Sequence, residues 1–162
     1  MPVIVLHTVI NAPAQVVFDL SRSIDLHKLS TAHTNEEAIA GKTSGLIGLN
    51  ESVTWRAKHL GITQKLTSKI TAYNAPHYFA DEMVKGTFKR FKHEHIFKVQ
   101  NGIVTMTDIF DYESPLWVFG KIADALFLKK YMANLLTTRN AMVKEFAEDE
   151  AKYRQVLELS NS

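Results

Sequence analysis

The chain contains no cysteine among its 162 residues. That excludes disulfides, thiol nucleophiles and thiolate metal sites, and it fits a cytoplasmic setting, which is the expected localisation. No apolar run approaches the ~18 residues that a membrane-spanning helix needs, so no transmembrane segment is expected. The opening residues, MPVIVLHTVINAP, carry neither a basic leader nor a small-residue cleavage site and do not read as a secretory signal. An excess of one charge is also missing: 19 Lys and Arg face 17 Asp and Glu, and the net charge is +2 with histidines neutral. The basic residues are scattered, which argues against nucleic acid as a partner. Lys85, Lys89, Arg90 and Lys92 form the one basic cluster, and they read as the solvated face of a strand. Glycine is sparse, yet Gly41, Gly45 and Gly48 fall close together. No strand-to-helix switch and no GK[ST] follows them, so they read as a turn-rich loop rather than a phosphate cradle. No cofactor is expected.

What is present is an ordinary globular composition, 46% hydrophobic and 22% charged, which at this length supports one domain over residues 1–162 with a sizeable core. Residues 3–10, VIVLHTVI, are β-branched and apolar and read as a strand. Asn11 is the expected helix cap, with Pro13 in the first turn. Val16, Val17, Phe18 and Leu20 give a short helix, and a second is expected over Asp25–Ser30. Residues 31–35 read as loop, and Glu37–Gly41 as a short strand.

From Glu51 onward the period is two. Val53, Trp55, Ala57 and His59 share one face of a strand. After Gly61, residues Ile62, Gln64, Leu66, Ser68 and Ile70 share a face of the next, opposite a wet face of Thr and Lys. Phe79, Asp81 and Met83 share a face of a third. Residues 88–112 then place Phe91, His93, His95, Phe97 and Val99 on one face, with Val104, Met106, Asp108, Phe110 and Tyr112 on the matching face of the next strand. Asn101-Gly102 between them is a strong hairpin signal. After Ser114-Pro115 the period becomes helical through Leu116, Phe119, Ile122, Ala123, Leu126, Ala133, Leu136, Val143 and Phe146. A final helix of ~40 residues is expected, long for a globular domain. Gly120 is its candidate bend, and AEDEAKYRQ its solvated tail. Trp117, Val118, Phe127 and Leu128 add a second greasy side, suited to extra core contacts, a cavity mouth, a homodimer or a membrane surface.

The predicted fold class is α+β: a curved antiparallel sheet of about seven strands, two short helices after strand 1, and a long C-terminal helix covering the apolar face. One helix cannot fill a wide curved sheet, so a cavity is expected between them.

Three stretches carry a resemblance to a known family: WRAKHLGITQKLTSKI at 55–70, FADEMVKGTFKRFKHEHIF at 79–97, and TMTDIFDYESPL with GKIADALFLKKYMANLLTTRN, to residue 140. Over about residues 1–148 the chain resembles the helix-grip fold of the START-like, or Bet v 1-like (SRPBCC), superfamily. More narrowly it is similar to a group of uncharacterised bacterial members sometimes labelled cell-division inhibitor-like. Trp117 and Phe119 depart from the smaller, glycine-containing sequence expected after SPL. The resemblance implies a cavity for a hydrophobic ligand and carries over no catalytic motif. Superfamily relatives also include polyketide cyclase-like and co-chaperone proteins.

The expected apolar wall is Trp55, Phe79, Met83, Phe91, Phe97, Met106 and Phe110. The expected polar groups on it are His59, Gln64, Asp81, His93, His95 and Asp108. Buried polar groups cost roughly 1–3 kcal/mol each when unpaired, so these must pair with one another, with water or with ligand. Four readings follow in order: a mutually satisfied network, ligand-orienting contacts, acid–base chemistry by a His–Asp pair, and a metal site using His93 and His95 at i and i+2. The sequence shows no nucleophile and no recognised metal motif, so no catalytic residue and no metal ligand is assigned. His7, His27, His33 and His77 read as surface or edge residues. The expected function is binding of a small hydrophobic molecule (lipid, polyketide or aromatic). The alternatives are a cyclase- or hydratase-type enzyme and a protein-interaction module.

Overall fold

β-Branched alternation at the amino terminus builds the first strand, and the same signal recurs until the chain has seven. A computed structural model describes residues 2–114 and 123–159. The strands are β1 (Val3–Ile10), β2 (Glu37–Gly41), β3 (Ser52–His59), β4 (Ile62–Asn74), β5 (Tyr78–Lys85), β6 (Arg90–Gln100) and β7 (Ile103–Glu113). They form one antiparallel sheet in the order β1-β7-β6-β5-β4-β3-β2. The fold is therefore a meander from β2 to β7, with β1 returning to pair with β7. Register shifts between Thr67 and Ser68 and between Ile70 and Ala72 mark bulges in the long β4. Such bulges increase local twist and bend the sheet.

The hairpin at residues 90–113 has the expected register. His93 stands opposite Phe110, His95 opposite Asp108, and Phe97 opposite Met106. Asn101 and Gly102 take φ of 51° and 76°, the positive values that a two-residue hairpin turn demands. Val99 departs from the expected inner face: it is 50% exposed, although Val104 opposite it is fully buried.

Two short helices follow β1: α1 (Ala14–Ser21) and α2 (Ile24–Ser30). The α1 cap is Pro13, not Asn11, and no side chain caps that end. Asn11 instead donates its backbone N–H to Glu148 Oε1 at 2.9 Å. Ser23 caps α2, its hydroxyl accepting from the Leu26 N–H at 3.2 Å. The long helix α3 (Ala123–Ala147) lies across the sheet and contacts β1, α1 and α2. Its buried residues Leu136, Arg139, Asn140, Val143 and Ala147 recur at three- and four-residue steps, the stripe expected of a helix packed on one side.

The helix does not run on to the end of the chain. It stops at Ala147, and a separate α4 (Glu150–Leu159) begins after Asp149. The Asp149 carboxylate accepts from the Ala151 and Lys152 N–H groups at 3.0 and 3.2 Å, an N-terminal cap that starts a new helix. The expected solvated tail AEDEAKYRQ is largely exposed apart from Ala147 and Tyr153, and just beyond it Val156 is buried in the main core with Leu157 against it. Leu116, Trp117, Val118, Phe119, Gly120 and Ile122, including the expected bend and the Trp117 side of the greasy surface, lie outside the described residues. No helix among the described residues is long and apolar enough to cross a membrane.

The core has two parts. One gathers around Phe18 of α1, which meets Tyr73, Phe79 and Phe97 edge-on at 5.3–5.5 Å. The other gathers around Phe91, Phe110, Tyr112 and Leu136.

Gly41 ends β2 at φ +72°, and a Cβ built there would sit 2.2 Å from the Ser52 carbonyl oxygen. Backbone cannot give way as a flexible side chain can. Gly41→Ala is therefore expected to cost at least about 1–2 kcal/mol from the left-handed conformation alone, read as a lowered urea midpoint. An unchanged midpoint would mean that β2 detaches without cost.

Candidate functional site

The sheet's concave face and α3 enclose a cavity of about 460 Å³, within the range of small-molecule pockets. Trp55, Leu66, Phe91 and Phe110 form its sheet side, and Leu128, Met132, Leu135 and Leu136 its helix side. Leu60, Ile62 and Phe127 also line it yet remain 58%, 58% and 54% exposed, so the cavity opens at the β3–β4 turn and the start of α3.

Polar groups gather at two places along this apolar channel. Near the mouth, His59 Nδ1 lies 2.9 Å from the Tyr131 hydroxyl, joining β3 to α3. His27 packs on Trp55 at a 35° tilt with centroids 4.3 Å apart and points Nε2 at Glu36 Oε1 from 3.5 Å. Burial raises the Glu36 carboxyl, but the His27 bond and charge outweigh it and hold the carboxyl below its ordinary value. Burial lowers the His59 imidazole.

The inner cluster is more deeply buried. His93 and His95 project from β6 between Asp81 of β5 and Asp108 of β7. The Nε2 of His93 is bonded to Asp108 Oδ1 at 3.1 Å, and the Nε2 of His95 to Asp81 Oδ1 at 3.3 Å. Asp108 is fully buried. It also accepts from Asn140 Nδ2 at 2.7 Å and lies 3.5 Å from Arg139 Nη1. The guanidinium donates as well to the Ser21 carbonyl at 2.5 Å, one of the carbonyls that the end of α1 leaves unpaired. His95 Nδ1 lies 2.7 Å from Asp108 Oδ1. The approach is off the N–H direction, so this nitrogen has no aligned hydrogen-bond partner among the described residues.

These contacts set the charges. Burial, and then the neighbouring His95, push the His93 imidazole down to about 4, against the Asp108 bond that favours its protonation. Burial raises both carboxyls, but the histidine bonds and the surrounding positive charges outweigh it. Asp81 is held below the usual carboxylate range and Asp108 well below it. Two carboxylates against one guanidinium leave a net charge of −1 on the groups around the imidazoles.

Of the residues expected to form the wall, Trp55, His59, Gln64, Asp81, Phe91, His93 and Phe110 line the cavity. Phe79, Phe97 and Met106 instead pack in the core around Phe18, and Met83 packs against the second core cluster. His95 and Asp108 sit behind His93 and support it. His27 is not the plain surface residue expected: it is half-buried and lines the cavity, as do Glu36, Tyr131 and Arg139, which the sequence reading did not single out. Arg139 and Asn140 left a signal, since they share the buried stripe of α3 with Leu136 and Val143.

No family model matches this chain, and no curated protein matches it in sequence. Solved structures do. The Zhui aromatase/cyclase from Streptomyces sp. R1128 matches with a TM-score of 0.70 and 12% identity, over 91% of this chain and 93% of that one. A START superfamily protein from Mycobacterium smegmatis matches with a TM-score of 0.67 and 10% identity, over 90% and 97%. The chain has the START-like, or SRPBCC, fold. The ginseng major latex-like protein 151 from Panax ginseng shares it, with a TM-score of 0.64 and 14% identity over 91% and 98%. The START-like fold accounts for the sheet, the long helix and the space between them. At these identities it selects no ligand, because one fold hosts many functions.

Proposed function

We propose that this START-like chain binds a small, largely apolar molecule bearing oxygen substituents in the cavity between the sheet and α3. The observation that carries the reading is the cavity itself: about 460 Å³, apolar along its length, with polar groups converging at two places. Such pockets orient a greasy ligand through a few polar contacts. Tyr131 and Arg139 lie eight residues apart on α3, so the two polar places are separated by ~12 Å of helix rise. A ligand of two or three fused rings, or a folded acyl chain, spans that distance.

The second reading, proton-transfer catalysis of the cyclase kind, draws on the His93–Asp108 bond and on the aromatase/cyclase among the similar structures. A ring whose affinity for a proton is pushed down to about 4 is a weak base at neutral pH, whereas general bases work best poised near the operating pH. That favours a role in holding the ligand over a role in abstracting its protons.

Met132→Trp tests the binding reading, because the larger side chain fills the lumen. The parent protein is expected to bind a fluorescent apolar probe such as anilinonaphthalene sulfonate, and the variant to bind it at least tenfold more weakly with unchanged circular dichroism. Native mass spectrometry of the purified parent is expected to retain an apolar ligand. Equal probe affinity in the two proteins would overturn the reading. So would an empty parent that binds no lipid or aromatic in a screen.

A further inference from the structure

His93 and His95 sit two residues apart on β6, so both imidazoles leave the same face of the sheet. Their flanking strands present one carboxylate on each side. Asp81 Oδ1 faces the Nδ1 of His93 at 3.9 Å and the Nε2 of His95 at 3.3 Å. Asp108 Oδ1 faces the other nitrogen of each ring, the Nε2 of His93 at 3.1 Å and the Nδ1 of His95 at 2.7 Å. One carboxylate thus anchors both rings from behind while their remaining nitrogens converge on the second carboxylate. Donor atoms of Asp81, His93 and His95 all lie within 4.8 Å of one another.

We propose that Asp81, His93 and His95 form a binding site for a divalent transition-metal ion, zinc in the first instance, with Asp108 orienting both imidazoles from behind.

The donor set and its supports agree with that chemistry. Zinc accepts imidazole nitrogen and carboxylate oxygen at about 2.0–2.2 Å in a tetrahedron, which sets donor atoms ~3.3 Å apart. The Asp81–His95 separation already has that value, the Asp81–His93 separation is 3.9 Å, and all three donors lie within 4.8 Å of one another. Histidines that ligate metals almost always donate their other ring N–H to a carboxylate or carbonyl. Here one buried carboxylate serves both rings, and Asn140 and Arg139 in turn hold that carboxylate.

Two further observations concern the cluster without an ion. The Nδ1 of His93 and the Oδ1 of Asp81 face each other at 3.9 Å, beyond hydrogen-bond reach, and an ion between them would take both as ligands. His95 Nδ1, on a ring only 2% exposed, has no aligned hydrogen-bond partner among the described residues. An ion on the opposite nitrogen fixes a proton on Nδ1 and draws the ring into line with Asp108.

Charge and access complete the case. Asp81 and Asp108 with Arg139 carry −1, and a divalent ion changes this to +1. A bound hydroxide, or an oxygen anion arriving through the cavity, cancels the remainder. Asp81 and His93 both line that cavity, so the fourth coordination position opens into it, as three-ligand zinc sites require.

The inference stands apart from the binding of an apolar molecule, because metal is measured directly. Metal-stripped protein is titrated with cobalt(II), read by the intense visible absorption of a tetrahedral complex, and with zinc by calorimetry. One ion per chain is expected, and Asp81→Asn is expected to weaken binding at least 100-fold. A second measurement needs no variant: in long-range imidazole NMR spectra of the parent, zinc should move the signals of His93 and His95. Absence of stoichiometric binding overturns the proposal and leaves a strand-clamping hydrogen-bond network. Binding that survives Asp81→Asn and moves the rings of His27 and His59 overturns it too, and assigns the ion to the mouth.

Discussion

Replacing Asp108 by asparagine is expected to remove about 3–5 kcal/mol of stability, the usual cost of breaking a buried charge pair by deleting one partner. The side chain keeps its shape, so the loss reads the charge. Asp108 is fully buried, and it answers the guanidinium of Arg139, the amide of Asn140 and an imidazole at once. Without its charge, Arg139 keeps the Ser21 carbonyl and the Asn140 side-chain oxygen but has no counter-charge on its own side of the cluster. The same reasoning predicts a partial recovery. Asp108→Leu combined with Arg139→Met removes both charges of this pair together, so the double change should cost less than the sum of the two single changes by about 1 kcal/mol or more. Urea unfolding of the four proteins checks this. A single Asp108→Asn variant within about 1 kcal/mol of the parent would mean that the guanidinium finds water instead.

How much of this was legible depends on the range of the interaction. The β6–β7 hairpin was readable because two local signals agree: alternation fixes which residues share a face, and Asn101-Gly102 fixes the turn and hence the register. That register sets His95 against Asp108. Alternation gives the face of a residue but not what covers it. Phe79 and Phe97 share their strands' inner faces with Asp81 and His93, yet they lie under Phe18 of α1 rather than beside the cavity. Where α1 lands on the sheet is a tertiary fact with no local trace. His27 was missed for the same reason. Its partners Trp55 and Glu36 come from other segments, and a seven-residue helix gives too few turns to define a buried stripe. The end of the long helix at Ala147 had a local sign, Asp149 one residue before Glu150, but a cap inside a continuously helical composition is easily passed over.

The polar cluster also carries the reasoning from structure to function. A carrier of greasy molecules needs only an oily hollow. This hollow instead meets the Asp81 carboxylate, the His93 imidazole and the Arg139 guanidinium at its inner end, with Asp108 and His95 behind them, where burial makes each costly unless paired. The strands and α3 are held together partly through that pairing, so the proposed ligand and metal would act on the same few atoms that set stability.

Stability is accordingly expected to fall with acid well before the carboxylates titrate. His93 has a folded-state value of about 4, below the ~6.5 of an unfolded histidine. Between those values the unfolded chain takes up a proton that the folded metal-free chain refuses, so stability decreases as pH decreases. The contribution is intact above about pH 6.5 and is lost progressively down to about pH 4, amounting to roughly 3 kcal/mol. Asp81 and Asp108 are held below their ordinary values, so their contributions have the opposite origin but the same direction. They are present above ~3.9, the unfolded value, and are lost as pH falls further. The two windows abut, and acid unfolding should begin near pH 6 and steepen below 4. Urea midpoints of the metal-free protein at pH 7.5, 5.5 and 4.5 check the first window. His93→Gln, which cannot titrate, should shrink it to the share that His59 contributes while leaving the decline below pH 4 in place. A parent midpoint that holds constant from pH 7.5 to 4.5 would show that His93 accepts its proton inside the folded cluster, with Asp81 and Asp108 sharing the charge.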